Sequence, residues 1–180
     1  MKYILDTKKA GFQKEFNKVL NSKRQQSSSN QSTVLKIISD IKKNGDKSLI
    51  KYSQKFDKIS LNKKNIQVSN KEILLIIAKL DPKIKKAINL AYTRVKNFHL
   101  KQVNNSFKYK DSFGNLLGYK YTPINKVGIY IPGGKASYPS TVIMNSVPAI
   151  VAGVKNIYAA VPTPNNEINA GVVYAAKICG

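Results

Sequence analysis

The residues with the most chemical potential are two glycines, Gly133 and Gly134, that follow the apolar run Val127–Ile131 and Pro132. A strand that feeds a glycine-rich loop and then a helix N-terminus can cradle an anion or a dinucleotide. Backbone N–H groups point outward there, and no Cβ blocks the approach. The spacing is not that of the common nucleotide loops. No GxGxxG occurs; Ile129 holds the position of the first P-loop glycine, and Lys135 is followed by Ala136, not Ser or Thr. On spacing alone, a tight turn and a ligand loop stand level. Tyr130 sits just before the glycines. Its ring could be core with a locally satisfied hydroxyl, or it could pack on a cofactor. Ligands of α/β sheets bind at the carboxyl ends of the strands, and that position favours the second reading.

The other candidates read as structural. His99 is the sole histidine and lies at the edge of an apolar helical stripe. A metal site needs three or four ligands at suitable spacing, and the sequence has no HExxH, no HxxE and no paired carboxylates near His99. Cys179, the sole cysteine, sits among Val172, Val173, Tyr174, Ala175, Ala176 and Ile178. It reads as a small buried hydrophobe. Pro148 falls inside a helical pattern, where a kink or a later helix start is expected.

The elements that must position these residues follow from periodicity. Phe12, Phe16, Val19 and Leu20 have helical spacing. The polar tract QQSSSNQST (25–33) reads as a loop, after which Ser32 or Thr33 would cap a helix with Val34, Ile37, Ile38 and Ile41 on one face. Gly45 ends that helix and Asp46 opens the next, with Leu49, Ile50 and Phe56 inward. Ile66–Val68 reads as a short strand. Ser69 or Asn70 caps a helix to Leu80, and Pro82 starts another that runs to about Gln102 with Ile84, Ile88, Val95 and Phe98 on its stripe. Phe107–Tyr121 then reads as a hairpin about residues 111–115. The last residues read as strand (127–131), helix (140–152), strand (156–161) and helix (168–179). A β–α–β–α order implies parallel strands. Two such strands do not make a stable open sheet, so this domain is expected to be incomplete.

The charge is lopsided: 31 Lys and Arg against 9 Asp and Glu, a formal net of +22. Only Arg24 and Arg94 are arginines, although arginine is the residue suited to bidentate phosphate and guanine contacts. The excess therefore reads as compositional drift and not as a nucleic-acid-binding face. Residues 121–180 hold a net of only +3. A single cysteine excludes an internal disulfide. No signal peptide and no apolar run near 18 residues are visible, so the expected setting is the cytoplasm, without a membrane.

From residue 117 to 154 the pattern becomes specific. Val127 to Gly134, then Tyr138-Pro139-Ser140, then Pro148-Ala149 with Ala152-Gly153, resembles the signature of the histidinol dehydrogenase family. Asn44-Gly45-Asp46 through Phe56-Asp57, and Phe98-His99 with Gln102, resemble upstream motifs of the same family, so the resemblance covers about residues 34–180. The Lys-rich N-terminus and the 25–33 tract depart from it. The resemblance implies an α/β fold: an N-terminal helix and polar linker (1–33), a helical region (34–104), then a hairpin and the first βαβα portion of a Rossmann-like NAD-binding domain (105–180), incomplete at the C-terminus. It also implies oxidation of L-histidinol to L-histidine through the aldehyde with NAD, one zinc ion per subunit, and a homodimer. Tyr130 would contact NAD. The catalytic residues and the zinc ligands would lie beyond Gly180, so the 180 residues by themselves are expected to be inactive. The other readings are a non-enzymatic basic module that binds nucleic acid, and an inactive remnant of the enzyme.

Overall fold

The computed structural model describes residues 5–133, 138–163 and 166–180, with residues 22–30 described in backbone only. The chain forms two compact units, Met1–Lys55 and Phe56–Gly180.

The first unit is built on a helix, α1 (Phe12–Asn44), of 33 residues. It runs straight through the tract expected to be a loop, so Ser32 and Thr33 are interior residues and not caps. The physical reason is that Ser, Gln and Asn are only mildly unfavourable in helices, and no Gly or Pro interrupts the span. Gly45, with φ +56°, ends α1, and α2 (Asp46–Asp57) follows at once. The turn is pinned by Asp40. Its carboxylate accepts from Asn44 Nδ2 at 2.6 Å, bonds the Tyr52 and Ser48 hydroxyls, and lies 3.8 Å from Lys51 Nζ. The Asn44 bond, then Tyr52, hold the Asp40 pKa below the usual carboxylate value. The apolar stripe around this turn is only partly covered: Val34, Ile38, Leu49 and Phe56 stay exposed, where the pattern pointed them inward.

The second unit holds α3 (Asn70–Ala78), α4 (Pro82–Leu100), the antiparallel hairpin β1 (Phe107–Lys110) and β2 (Leu116–Tyr119), β3 (Lys126–Tyr130), α5 (Pro139–Val151), β4 (Asn156–Ala160) and α6 (Ala170–Ile178). The strand expected at Ile66–Val68 is absent. A lone extended run has no ladder partner to stabilise it, and Asn62 and Asn65 instead fold the chain into a side-chain-bonded turn. α3 is set by a capping box: Ser69 Oγ accepts from the Glu72 amide while Glu72 Oε2 accepts from the Ser69 amide. Replacing Ser69 by alanine is expected to cost about 1 kcal/mol, read as a lower midpoint in chemical denaturation. Asp81 caps α4, with Pro82 in the first turn.

β3 and β4 pair in parallel, Val127 with Ile157 and Tyr130 with Ala160. Residues alternate across the sheet. Val127, Ile129, Ile157 and Ala159 share one face, on which α5 packs. Gly128, Tyr130, Tyr158 and Ala160 share the other. α4, α5 and α6 pack on one another around Ile88, Ile131, Val142, Ile143, Val147, Val172 and Ala175. A hydrogen bond from Asn89 Nδ2 to the Tyr174 hydroxyl (2.9 Å) ties α4 to α6. Phe98, expected on the inner stripe of α4, is 63% exposed. The architecture is α/β with two parallel strands, short of a complete doubly wound sheet.

Candidate dinucleotide edge

The site is built at the carboxyl ends of β3 and β4. The ladder extends one residue beyond the strands, since the Ile131 amide donates to the Ala160 carbonyl at 2.9 Å. Ile131 is fully buried. Alternation therefore sends Tyr130 to the opposite face, where its ring is 64% exposed. Of the two readings of Tyr130, the core one fails. The neighbouring Gly128 leaves open space around its Cα, with no atom within 4 Å of where a Cβ would lie.

Gly133 has a definite packing role. A Cβ there would lie 2.7 Å from the Pro162 carbonyl oxygen and 3.1 Å from Pro162 Cβ. The loops leaving β3 and β4 thus touch backbone to backbone, and only glycine fits. Gly134 and Lys135 lie outside the described residues. α5 begins at Pro139 with Tyr138 before it, and Pro139 Cγ sits 3.2 Å from where a Gly171 Cβ would lie, so the starts of α5 and α6 are in contact. Asn169 caps α6, accepting from the Val172 amide at 3.0 Å. α5 does not start late to avoid Pro148 but passes through it, and the Pro148 carbonyl still accepts from the Ala152 amide. The carbonyl that loses its donor belongs to Met144, an exposed residue that water can serve.

The remaining candidates stay apart from this edge. His99 Nδ1 lies 2.7 Å from Gln102 Oε1 and closes the end of α4; its ring meets Phe98 edge-on at 5.3 Å. Cys179 is buried in the core. Burial raises its thiol pKa, opposed by a bond to Ser146. Among the described residues no three His, Cys, Asp or Glu side chains come together, so these residues do not fit a zinc ion. What fits a dinucleotide is the exposed Tyr130 ring, at a strand end and beside the open backbone of Gly128. Sequence reasoning missed the Gly133–Pro162 approach, which no local signal marks. It also missed the Asp40 cluster, whose spacing of four residues (Asp40, Asn44, Ser48, Tyr52) was a usable sign masked by the break at Gly45.

Comparison with known proteins fits this arrangement. The family model described as histidinol dehydrogenase matches residues 20–180, beginning earlier than the signature residues alone suggest and including the 25–33 tract. The histidinol dehydrogenase of Pelagibacter ubique is 47% identical over 176 residues, which is 98% of this chain and 40% of that protein. That of Helicobacter hepaticus is 40% identical over 181 residues, 100% of this chain and 41% of that protein. The crystal structure of histidinol dehydrogenase from Elizabethkingia anophelis superposes with a TM-score of 0.77 at 38% identity, covering 83% of this chain and 34% of that one. The chain therefore spans about two fifths of the length of the relatives it matches. With its strand pair, its glycine loop and most of its length matched, this chain belongs to the histidinol dehydrogenase family.

Proposed function

We propose that these residues form part of a histidinol dehydrogenase, an oxidoreductase of histidine biosynthesis that oxidises L-histidinol to L-histidine with NAD. These residues span about two fifths of the relatives' length, and on this reading the whole activity would belong to a longer polypeptide. In that enzyme, zinc and the acid and base would come from residues other than those described, and NAD supplies the hydride acceptor. The active form would be a soluble cytoplasmic homodimer. Among the described residues no helix is long and apolar enough to cross a membrane.

The part assigned to this chain is the dinucleotide edge, with Tyr130 packing on NAD. The observation that carries it is the 64% exposure of the Tyr130 ring at the carboxyl end of β3, on the sheet face that α5 does not cover. An aromatic ring with no apolar cover gains most by stacking on a planar ligand. The test uses a family-length polypeptide containing these residues, assayed with L-histidinol and NAD. Tyr130→Ala is expected to raise KM for NAD about 10-fold, the effect of roughly one aromatic contact. Tyr130→Phe should stay near the parent value. An unchanged KM for NAD in Tyr130→Ala removes the assignment of Tyr130, and no turnover by the parent removes the activity. The 180 residues alone should give no steady NADH production, for want of a zinc-ligand set among the described side chains.

A further inference from the structure

The turn between α1 and α2 carries chemistry that the dinucleotide edge does not use. Gly45 sits at φ +56°, a conformation that side chains rarely adopt, so the turn demands glycine there. Asn44 precedes it, and it is the one asparagine of the 180 residues that a glycine follows. In such a pair no side chain hinders the glycine nitrogen on its way to the asparagine amide carbon. Having lost its proton, the Gly45 nitrogen bonds to Cγ of Asn44. The Cγ–Nδ2 bond breaks, and ammonia leaves with a proton taken from solvent. The product is a cyclic succinimide. Water then opens it at one or other carbonyl, giving aspartate or isoaspartate. One water is consumed and one ammonia released, with no change of oxidation state.

The fold withholds both reacting groups. The Gly45 N–H donates to the Ile41 carbonyl at 2.8 Å, closing the end of α1. The Asn44 amide is turned back along the helix, where Nδ2 donates to Asp40 Oδ1 at 2.6 Å. Water reaches Asn44, which is exposed. Asp40 is in turn bonded by the Ser48 and Tyr52 hydroxyls of α2 and lies 3.8 Å from Lys51 Nζ. One carboxylate therefore clamps Asn44 and ties the two helices together. Deamidation turns the clamped donor into an acceptor. A carboxylate cannot donate, so two negative groups would meet where the bond to Asp40 stood. The new charge also lies in the last turn of α1, the end of a helix that disfavours anions. The isoaspartate product adds a methylene to the main chain just before Gly45, which displaces the Gly45 amide from the Ile41 carbonyl.

We propose that Asn44-Gly45 is a deamidation site held latent by the bond to Asp40, and that its conversion to aspartate releases the α1–α2 turn. The reaction needs neither NAD nor a longer polypeptide. The 180-residue chain is incubated in mildly alkaline buffer, with and without denaturant, and conversion at Asn44 is followed by peptide mass spectrometry. Conversion is expected to be about 10-fold or more slower in buffer, because only the locally opened turn reacts. Asp40→Ala should speed it about 10-fold in buffer, the worth of one hydrogen bond to a charged group. Equal rates with and without denaturant overturn the proposal, as does an unchanged rate in Asp40→Ala. A double-mutant cycle keeps the test decisive where Asp40→Ala unfolds the unit. Asn44→Asp should speed exchange of the Gly45 and Leu49 amides about 10-fold in the parent and much less in an Asp40→Asn background, where the two carboxylates no longer face each other. Equal effects of Asn44→Asp in both backgrounds overturn the release of the turn by charge.

Discussion

Replacing Ile143 by alanine is expected to destabilise the second unit by about 2–5 kcal/mol, the range for removing a large aliphatic side chain from a packed core. Ile143 is 2% exposed and lies among Val142, Val147 and Ile131, all fully buried. These side chains join α5 to β3, so the cavity opens where helix and sheet meet. The surroundings cannot close it cheaply, because the backbone of Ile131 is held by the hydrogen bond that its amide donates to the Ala160 carbonyl. Total stabilities of domains run at about 5–15 kcal/mol, and a loss of this size removes a large part of that. Chemical denaturation followed by circular dichroism measures it, with Ile143→Val as the graded control at about 0.5–1.5 kcal/mol. A loss below about 1 kcal/mol for the alanine variant would mean that this cluster is not the core that holds the unit.

The second large effect is expected at Gly133. The added methyl group of Gly133→Ala would sit 2.7 Å from a backbone oxygen of Pro162, so no side-chain rotation relieves it. One of the two loops must move, at a cost of about 1–3 kcal/mol. Gly128→Ala is the comparison: it lies on β3, the strand that leads into the loop of Gly133, and its Cβ would meet nothing within 4 Å. It should stay within about 0.5 kcal/mol of the parent. In a family-length enzyme, Gly133→Ala is further expected to weaken NAD about 10-fold or more, because displaced strand ends carry Tyr130 with them. Equal effects at positions 128 and 133 would show that the contact with Pro162 is not what constrains Gly133.

What could be read from the residues was what neighbours in sequence decide. A cap at Ser69 or Asn70, and Pro82 in a first turn, announce α3 and α4 because a helix start is written in a few consecutive residues. The runs Val127–Ile131 and Asn156–Val161 announce β3 and β4 because buried parallel strands are apolar throughout. Tyr130 could be placed at a strand end for the same reason. The failures need information from afar. The 25–33 tract looked like a loop by composition, yet helix propagation across it costs little once both flanks are helical. Ile66–Val68 had strand composition but no strand beside it to pair with. Phe98 fell on the right stripe, but packing reaches only the middle of α4. Gly133 is constrained by Pro162, 29 positions further on, which no spacing rule connects to it.

The register of β3 on β4 has a consequence in time. Every ladder pair, from Lys126 with Asn156 to Tyr130 with Ala160, joins residues 30 apart in the chain, with α5 inside the loop. A ribosome adding about 5–20 residues per second makes β4 some 2–6 s after β3. A helix such as α5 forms in about a microsecond once its residues are free. For those seconds α5 is the only element made after β3 that can shelter Ile129 and Ile131, and the outer edge of the strand has no ladder partner. The helix that later forms part of the core therefore first serves the nascent chain as a guard.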